Sequence, residues 1–191
     1  MIVELQQKRF SVREFTDEPV PGEVVAEMLE AARLSPSGGN AQDWSFGVVT
    51  DRTLIARIAT AAYQQGWIAP APLVVVLCTK GGTDAPGERR IQKQRFPHLA
   101  DRIDAMDDDL YLALNLREHQ TKIAGTAMTM TALERGVGST WVSKFDVNAV
   151  AELIDPPDGF VPSEILVLGY PAGARTHAPR KPLGEVVFRR P

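Results

Sequence analysis

The sequence predicts an α+β fold, on three observations. Helical and strand patterns mix along the 191 residues without regular βα alternation. Two runs, Leu73–Thr79 and Glu164–Tyr170, are apolar enough to be strands buried inside a sheet. No glycine-rich dinucleotide fingerprint follows a strand, because Gly136-Val137-Gly138 is only a fragment of one and follows a helix. The length suits a single domain spanning 1–191, with a core that needs no covalent staples.

Taken in order, Met1 to Lys8 reads as a short helix with Ile2 and Leu5 on one side. The basic pentapeptide Arg9-Phe10-Ser11-Val12-Arg13 follows, then a turn defined by Pro19 and Pro21. Pro21 stands where a helix can begin. Val24, Val25, Met28, Leu29 and Ala32 then recur at helical spacing to about Leu34. The loop Ser35-Pro36-Ser37-Gly38-Gly39-Asn40 stops that helix and has little bulk, so its backbone can approach a ligand closely. Ser45 to Thr50 is a strand, and Asp51 to about Tyr63 a helix with Asp51 as its N-cap. After the strand Leu73–Thr79, the charged stretch Lys80 to Asp104 carries Gly and Pro signals and reads as isolated short helices, either a connector or a lid. Asp107-Asp108-Asp109 suits a helix N-terminus, and the long helix they open ends near Gly136. Its small residues permit close helix packing. Gly138 to Val142 is a strand, Asp146 to Ile154 a short helix, and Pro156 to Gly159 a turn. Beyond the strand Glu164–Tyr170, Pro171 to Lys181 is irregular and Glu185 to Phe188 reads as a final strand.

Composition narrows the function. A formal net charge of −3 argues against a general nucleic-acid binder. No run approaches the roughly 18 apolar residues of a membrane span, and the N-terminus lacks a signal-peptide pattern. The expectation is a soluble, cytoplasmic protein. The only cysteine, Cys78, lies inside an apolar strand and reads as a buried small residue rather than a nucleophile. His98, His119 and His177 have no metal-ligand spacing, and no Gly-x-Ser-x-Gly elbow marks a hydrolase. Neither a catalytic side chain nor a metal ligand is assigned.

Arg9, Ser11 and Arg13 gather two guanidiniums and a hydroxyl, donors suited to a phosphate. Alone, the pentapeptide reads more readily as an exposed basic turn. Four other blocks change that balance: Pro36 to Trp44, Gly136-Val137-Gly138-Ser139-Thr140-Trp141, Leu168-Gly169-Tyr170-Pro171, and Arg180-Lys181-Pro182-Leu183-Gly184-Glu185-Val186-Val187. In this order and spacing, the set resembles the FMN-dependent nitroreductase family over nearly the whole chain. Asp43 departs from the proline usual before the tryptophan.

The resemblance implies a nitroreductase-like fold: a mixed, mainly antiparallel sheet flanked by helices, with a long central helix at a dimer interface. It implies a homodimer whose C-terminal segment crosses to the partner and whose two FMN sites are shared between subunits. Arg9, Phe10, Ser11 and Arg13 would grip the FMN phosphate, joined by Arg180 or Lys181. Pro36, Ser37 and Asn40 would face the ribityl chain and ring from the partner subunit, with Gln42 supporting their loop. Gln64 would meet the pyrimidine edge with an amide that both donates and accepts. Trp67 stands where some relatives carry a flavin-contacting lysine, so a cation at that edge must come from elsewhere. Backbone N–H groups at Ser143 and Lys144 would approach flavin N5. The implied activity is hydride transfer from NADH or NADPH by a ping-pong mechanism to a nitroaromatic, quinone or activated alkene, with the flavin supplying the chemistry. A reductive dehalogenase, a flavin-fragmenting enzyme, and a flavin-binding regulatory or storage protein remain open alternatives.

Overall fold

A computed structural model of the chain describes residues 2–80, 89, 93, 97–105, 116–173 and 178–189. The fold is α+β, built on one four-stranded antiparallel sheet of order β1-β2-β4-β3. Its strands are β1 (Trp44–Val49), β2 (Leu73–Lys80), β3 (Gly138–Val142) and β4 (Phe160–Gly169). The inner strands β2 and β4 are the two apolar runs of the sequence. Residues 71–79 of the first are buried, as the lack of alternation predicts.

The two faces of the sheet carry separate apolar clusters. One gathers Val74, Val76, Ile165 and Val167 against Ile55 and Ile58 of helix α3 (Arg52–Ala61) and Val150 of α6 (Val147–Ile154). The other gathers Leu73, Leu77, Leu166 and Leu168 against Met28 of α2 (Gly22–Arg33) and Met128 of α5 (Leu116–Glu134). Alternate residues of β4 therefore serve opposite faces, as the strand pleat demands. Helix α5 lies close to the sheet because Gly125 has no side chain. A Cβ there would stand 2.6 Å from both Leu77 Cδ1 and Trp141 Cη2. Arg135, one residue beyond α5, clasps Glu27 of α2 through two bonds of 2.7 and 2.9 Å.

Local signals account for the ends of these elements. Asp51 caps α3 by accepting from the Leu54 N–H at 2.7 Å, and Asp146 caps α6 by accepting from Ala149 at 3.0 Å. Gly136 ends α5 with a φ of 77°, which glycine adopts without a Cβ penalty. Helix α1 (Ile2–Lys8) is as expected but buries none of its residues. The stretch 97–104 forms a 3₁₀ turn (Pro97–Leu99) and the short helix α4 (Ala100–Asp104). Asp107 to Asp109, most of 80–104 and His177 lie outside the described residues.

Two expectations change. Strand β4 begins at Phe160, four residues before Glu164, so that Glu164 is interior rather than terminal. Pro162 is accommodated where the β2–β4 register shifts between Leu77 and Cys78, an irregularity that tolerates a residue with no N–H. The second change is at the C-terminus, where Glu185 to Phe188 is not a strand. Leu183–Val186 forms one helical turn, α7, entered from Pro182 at a φ of −54°. Only its last part is extended, and every residue of 178–189 is exposed. A strand needs a partner edge, and this segment pairs with no strand among the described residues.

Candidate functional site

The pentapeptide Arg9–Arg13 continues the sheet beyond β3. Ser11 bridges Ser139 in parallel, Val12 N–H donates to Ser139 O at 3.3 Å, and Thr140 Oγ1 donates to Val12 O. This parallel bridge is the mixed element of an otherwise antiparallel sheet. The chain then turns to run beside the end of β4, where Thr16 N–H donates to Tyr170 O at 2.9 Å. Val12 is the buried anchor at 2% exposure, while Ser11 and Arg13 on either side of it are exposed. Gly138 makes the docking possible, because a Cβ there would overlap Val12 Cγ2 and stand 3.2 Å from Pro171 Cγ. Half-buried Arg9 and Phe10 line a small cavity of about 100 Å³ with Leu133 and Val137.

Two further segments meet this one. The Arg13 guanidinium lies 5.5 Å from the centre of the Trp67 ring, within cation–π range. The 63–67 loop in turn reaches the turn after β3. Gln65 Nε2 donates to Lys144 O at 3.1 Å, and the Lys144 ammonium lies 5.5 Å from the centre of the Tyr63 ring. Arg13, Gln64, Ser143 and Lys144, far apart in sequence, thus belong to one connected patch. Two cations, Arg13 and Lys144, lie along this loop. Ser143 is committed inward by its side chain: its hydroxyl donates to Glu164 Oε2 at 2.7 Å.

The Pro36–Gln42 loop is braced separately. Gln42 N–H donates to Ser37 Oγ at 3.0 Å, Gln42 Nε2 donates to Asn40 O at 3.3 Å, and Gly38 N–H donates to Gln120 Oε1 of α5 at 3.0 Å. Gln42 thus ties two residues of its own loop together, while Pro36 and Asn40 are exposed. Arg180 hydrogen-bonds the carbonyls of Ala178 and Pro179, its own neighbours, and Lys181 is exposed. Within one chain, neither is brought against Arg9–Arg13.

Backbone strain collects on these loops. Non-glycine residues with positive φ among the described residues are Asn40 (54°), Gln42 (52°), Tyr63 (56°), Gln64 (58°) and Asp155 (46°). Asp155 closes α6, and the other four sit in the two candidate loops. Each costs on the order of 1–3 kcal/mol, and such residues cluster at functional sites. Sequence reasoning missed Tyr63, Gln120, Lys122 and Glu164. The one available signal was Glu164, a carboxylate at the head of an apolar run.

The donor set fits a phosphate ester. Arg33 and Arg135 each hold a carboxylate in two bonds. Arg9 and Arg13 pair with no carboxylate among the described residues. Cys78 is no part of the site: it is buried in β2, and burial pushes its thiol up to about 11.

A family model described as "Nitroreductase family" matches residues 7–170. A protein from Thermus thermophilus named NADH dehydrogenase is 30% identical, over 96% of this chain and 93% of its own length. A Bacillus subtilis protein named FMN reductase [NAD(P)H] is 28% identical, over 90% of this chain and 66% of its own. The crystal structure of a nitroreductase family protein from Clostridium difficile 630 superimposes with a TM-score of 0.74 at 27% identity, covering 97% of this chain and 96% of that one.

Proposed function

Because the chain belongs to the nitroreductase family, we propose that it is an FMN-dependent oxidoreductase that draws hydride from NADH or NADPH. A general flavin-dependent NAD(P)H oxidoreductase is what the family and the relatives support. The finer reading is that the nicotinamide and an electron acceptor, such as a nitroaromatic, quinone or activated alkene, use one site in turn. The chain acts as a single FMN-binding domain, 1–191.

The observation that carries this reading is the connected patch of Arg9–Arg13, the 63–67 loop and Ser143–Lys144. Bound FMN supplies hydride acceptance and donation at its N5 position. The protein binds and orients. Arg9, Ser11 and Arg13 hold the phosphate through charge-assisted bonds. Gln64 presents an amide to the pyrimidine edge, and Lys144 places a cation nearby. The Ser143–Lys144 backbone presents N–H donors to the redox-active position.

We further propose a homodimer. Leu183, Val186 and Phe188 are 75%, 60% and 83% exposed on a segment with one helical turn of its own. Apolar side chains concentrated in this way mark a surface that another chain covers. Docked on a second subunit, the segment would bring Arg180 or Lys181 to that subunit's phosphate. The Pro36–Asn40 loop would likewise complete the partner's site.

The test is direct. The purified protein should show flavin absorbance, or gain it on reconstitution with FMN, and NADH or NADPH should bleach it anaerobically. No FMN binding would overturn the reading. FMN binding without reduction by either nucleotide would favour a flavin-binding protein with negligible turnover.

A further inference from the structure

Glu164 is the residue whose placement the proposed chemistry has not used. It sits in the interior strand β4 at 3% exposure, on the same face as Leu166 and Leu168. That face packs against α5 with Leu77 and Trp141, so the pattern of the strand calls for an apolar residue there. Both carboxylate oxygens are instead committed. Oε2 accepts from Ser143 Oγ at 2.7 Å, and Oε1 lies 3.0 Å from Lys122 Nζ of α5. The carboxylate is buried while the Lys122 side chain is 42% exposed, so the desolvation of Glu164 offsets much of the attraction and the pair contributes little net stability. A retained one points to what it holds in place.

What Glu164 holds is the turn after β3. Ser143 is the first residue beyond Val142, and in the sheet it lies next to the paired positions Val142 and Ile165. From the other side, Gln65 Nε2 binds the carbonyl of Lys144, and Lys144 caps the Tyr63 ring. Two independent elements therefore fix two consecutive residues, one through a side chain and one through the backbone. A core in need only of stability has no reason to pin an exposed turn this way.

We propose that Glu164 is a positioning residue. Held by Lys122, it locks Ser143 so that the Ser143–Lys144 backbone N–H groups keep a fixed orientation toward the flavin. This rests on the FMN reading above. Lys122 sets the carboxylate, the carboxylate sets the hydroxyl, and the hydroxyl sets the peptide. Glu164 itself touches no cofactor, and its effect is on the balance between oxidised and reduced flavin in the site. A donor held rigidly beside a redox-active atom changes its reduction equilibrium, whereas a loose one is averaged away.

The experiment measures the FMN dissociation constant and the midpoint potential of bound FMN against a reference dye. It uses the wild type, Ser143→Ala, Glu164→Gln and the double variant Glu164→Leu/Lys122→Leu. Ser143→Ala and the double variant are expected to shift the two-electron reduction equilibrium by about tenfold, or about 30 mV, a change carried by reduced FMN, with the dissociation constant of oxidised FMN moving by less than that factor. Glu164→Gln keeps an oxygen that accepts from Ser143 and should fall between them and the wild type. The double variant exchanges the pair for apolar bulk, so the test survives if Glu164→Gln folds poorly. Wild-type potentials in FMN-loaded Ser143→Ala and the double variant would overturn the proposal while leaving the proposed function intact. Failure of the wild type itself to bind FMN would overturn both.

Discussion

The two basic segments at opposite ends of the chain are assigned to the same phosphate, yet they are built in opposite ways. Arg9–Arg13 is fastened to its own chain by a parallel bridge to Ser139, by Thr140 and by the buried Val12. Arg180-Lys181 belongs to a stretch whose residues are all exposed and whose Arg180 bonds only to adjacent carbonyls among the described residues. The first half of the site is preorganised, so its ordering cost is met when the chain folds. On the proposed dimer, the second half would be completed only by docking and would carry that cost into assembly. Cofactor affinity should thus depend on fold integrity through one end and on chain concentration through the other.

The largest break in this comparison comes from Gly138→Ala. The added methyl overlaps Val12 Cγ2, and the strand cannot retreat because β4 holds its other side. Overpacking of this kind costs about 1–3 kcal/mol, and each kcal/mol lowers Tm by roughly 2–4 °C at this size. Calorimetry should show that loss without FMN present. Titration should show FMN binding falling further than in any single-arginine variant, since Arg9, Ser11 and Arg13 all lose their frame.

Arg13→Ala separates charge from frame. Loss of a charge-assisted bond of about 1.5–3 kcal/mol corresponds to roughly 10- to 150-fold weaker FMN binding. The apo protein loses only the exposed stacking on Trp67, on the order of 0.5–1 kcal/mol. Equilibrium fluorescence titration checks the first figure and thermal melting the second. A changed substrate preference at full FMN occupancy would contradict the anchoring role.

Arg180→Ala should be milder, about fivefold or less if the contact behaves as an exposed ion pair. Its signature is different in kind. The deficit of Arg180→Ala should appear only at protein concentrations where the wild type sediments as a dimer, whereas that of Arg13→Ala should appear at all of them. Equal deficits below the dimer dissociation constant would mean that Arg180 acts within its own chain.

The same contrast explains what was legible in the sequence. Helices α2, α3 and α6 could be read because periodicity and the carboxylate of Asp51 are local signals. The inner strands could be read because burial on both faces leaves an unbroken apolar run. The C-terminal strand was misread because Glu185 to Phe188 has strand-like composition but pairs with no edge among the described residues. Glu164 was read as a boundary because a lone charge beside apolar residues gives no hint of a lysine on a helix some forty residues earlier in the chain. The left-handed backbones of Gln42 and Gln64 carry no compositional mark at all, since glutamine is not a residue that signals positive φ.

Cys78 supplies the smallest expected effect and a control on the others. It lies in β2, paired with Ser45 of β1, at 1% exposure. Burial raises its thiol from 9.0 to about 11, so at pH 8 the native protein offers an aromatic disulfide reagent almost no thiolate and no access. Reaction then reports the fraction of molecules that open. Arg180→Ala should react as slowly as the wild type, and Arg13→Ala, which loses its stacking on Trp67, no more than about 2- to 5-fold faster. Gly138→Ala should react roughly 5- to 150-fold faster, the population change that about 1–3 kcal/mol implies when opening is fast relative to labelling. The linkage has a definite sign. Below pH 9 both folded and unfolded thiols are protonated and stability is unaffected. Between about 9 and 11 only the unfolded chain releases the proton, so this group lowers stability as pH rises. Urea midpoints of wild type and Cys78→Ala should therefore keep a constant difference up to pH 9 and converge above it. A difference that stays constant through that window would show that the thiol is not held neutral by the core.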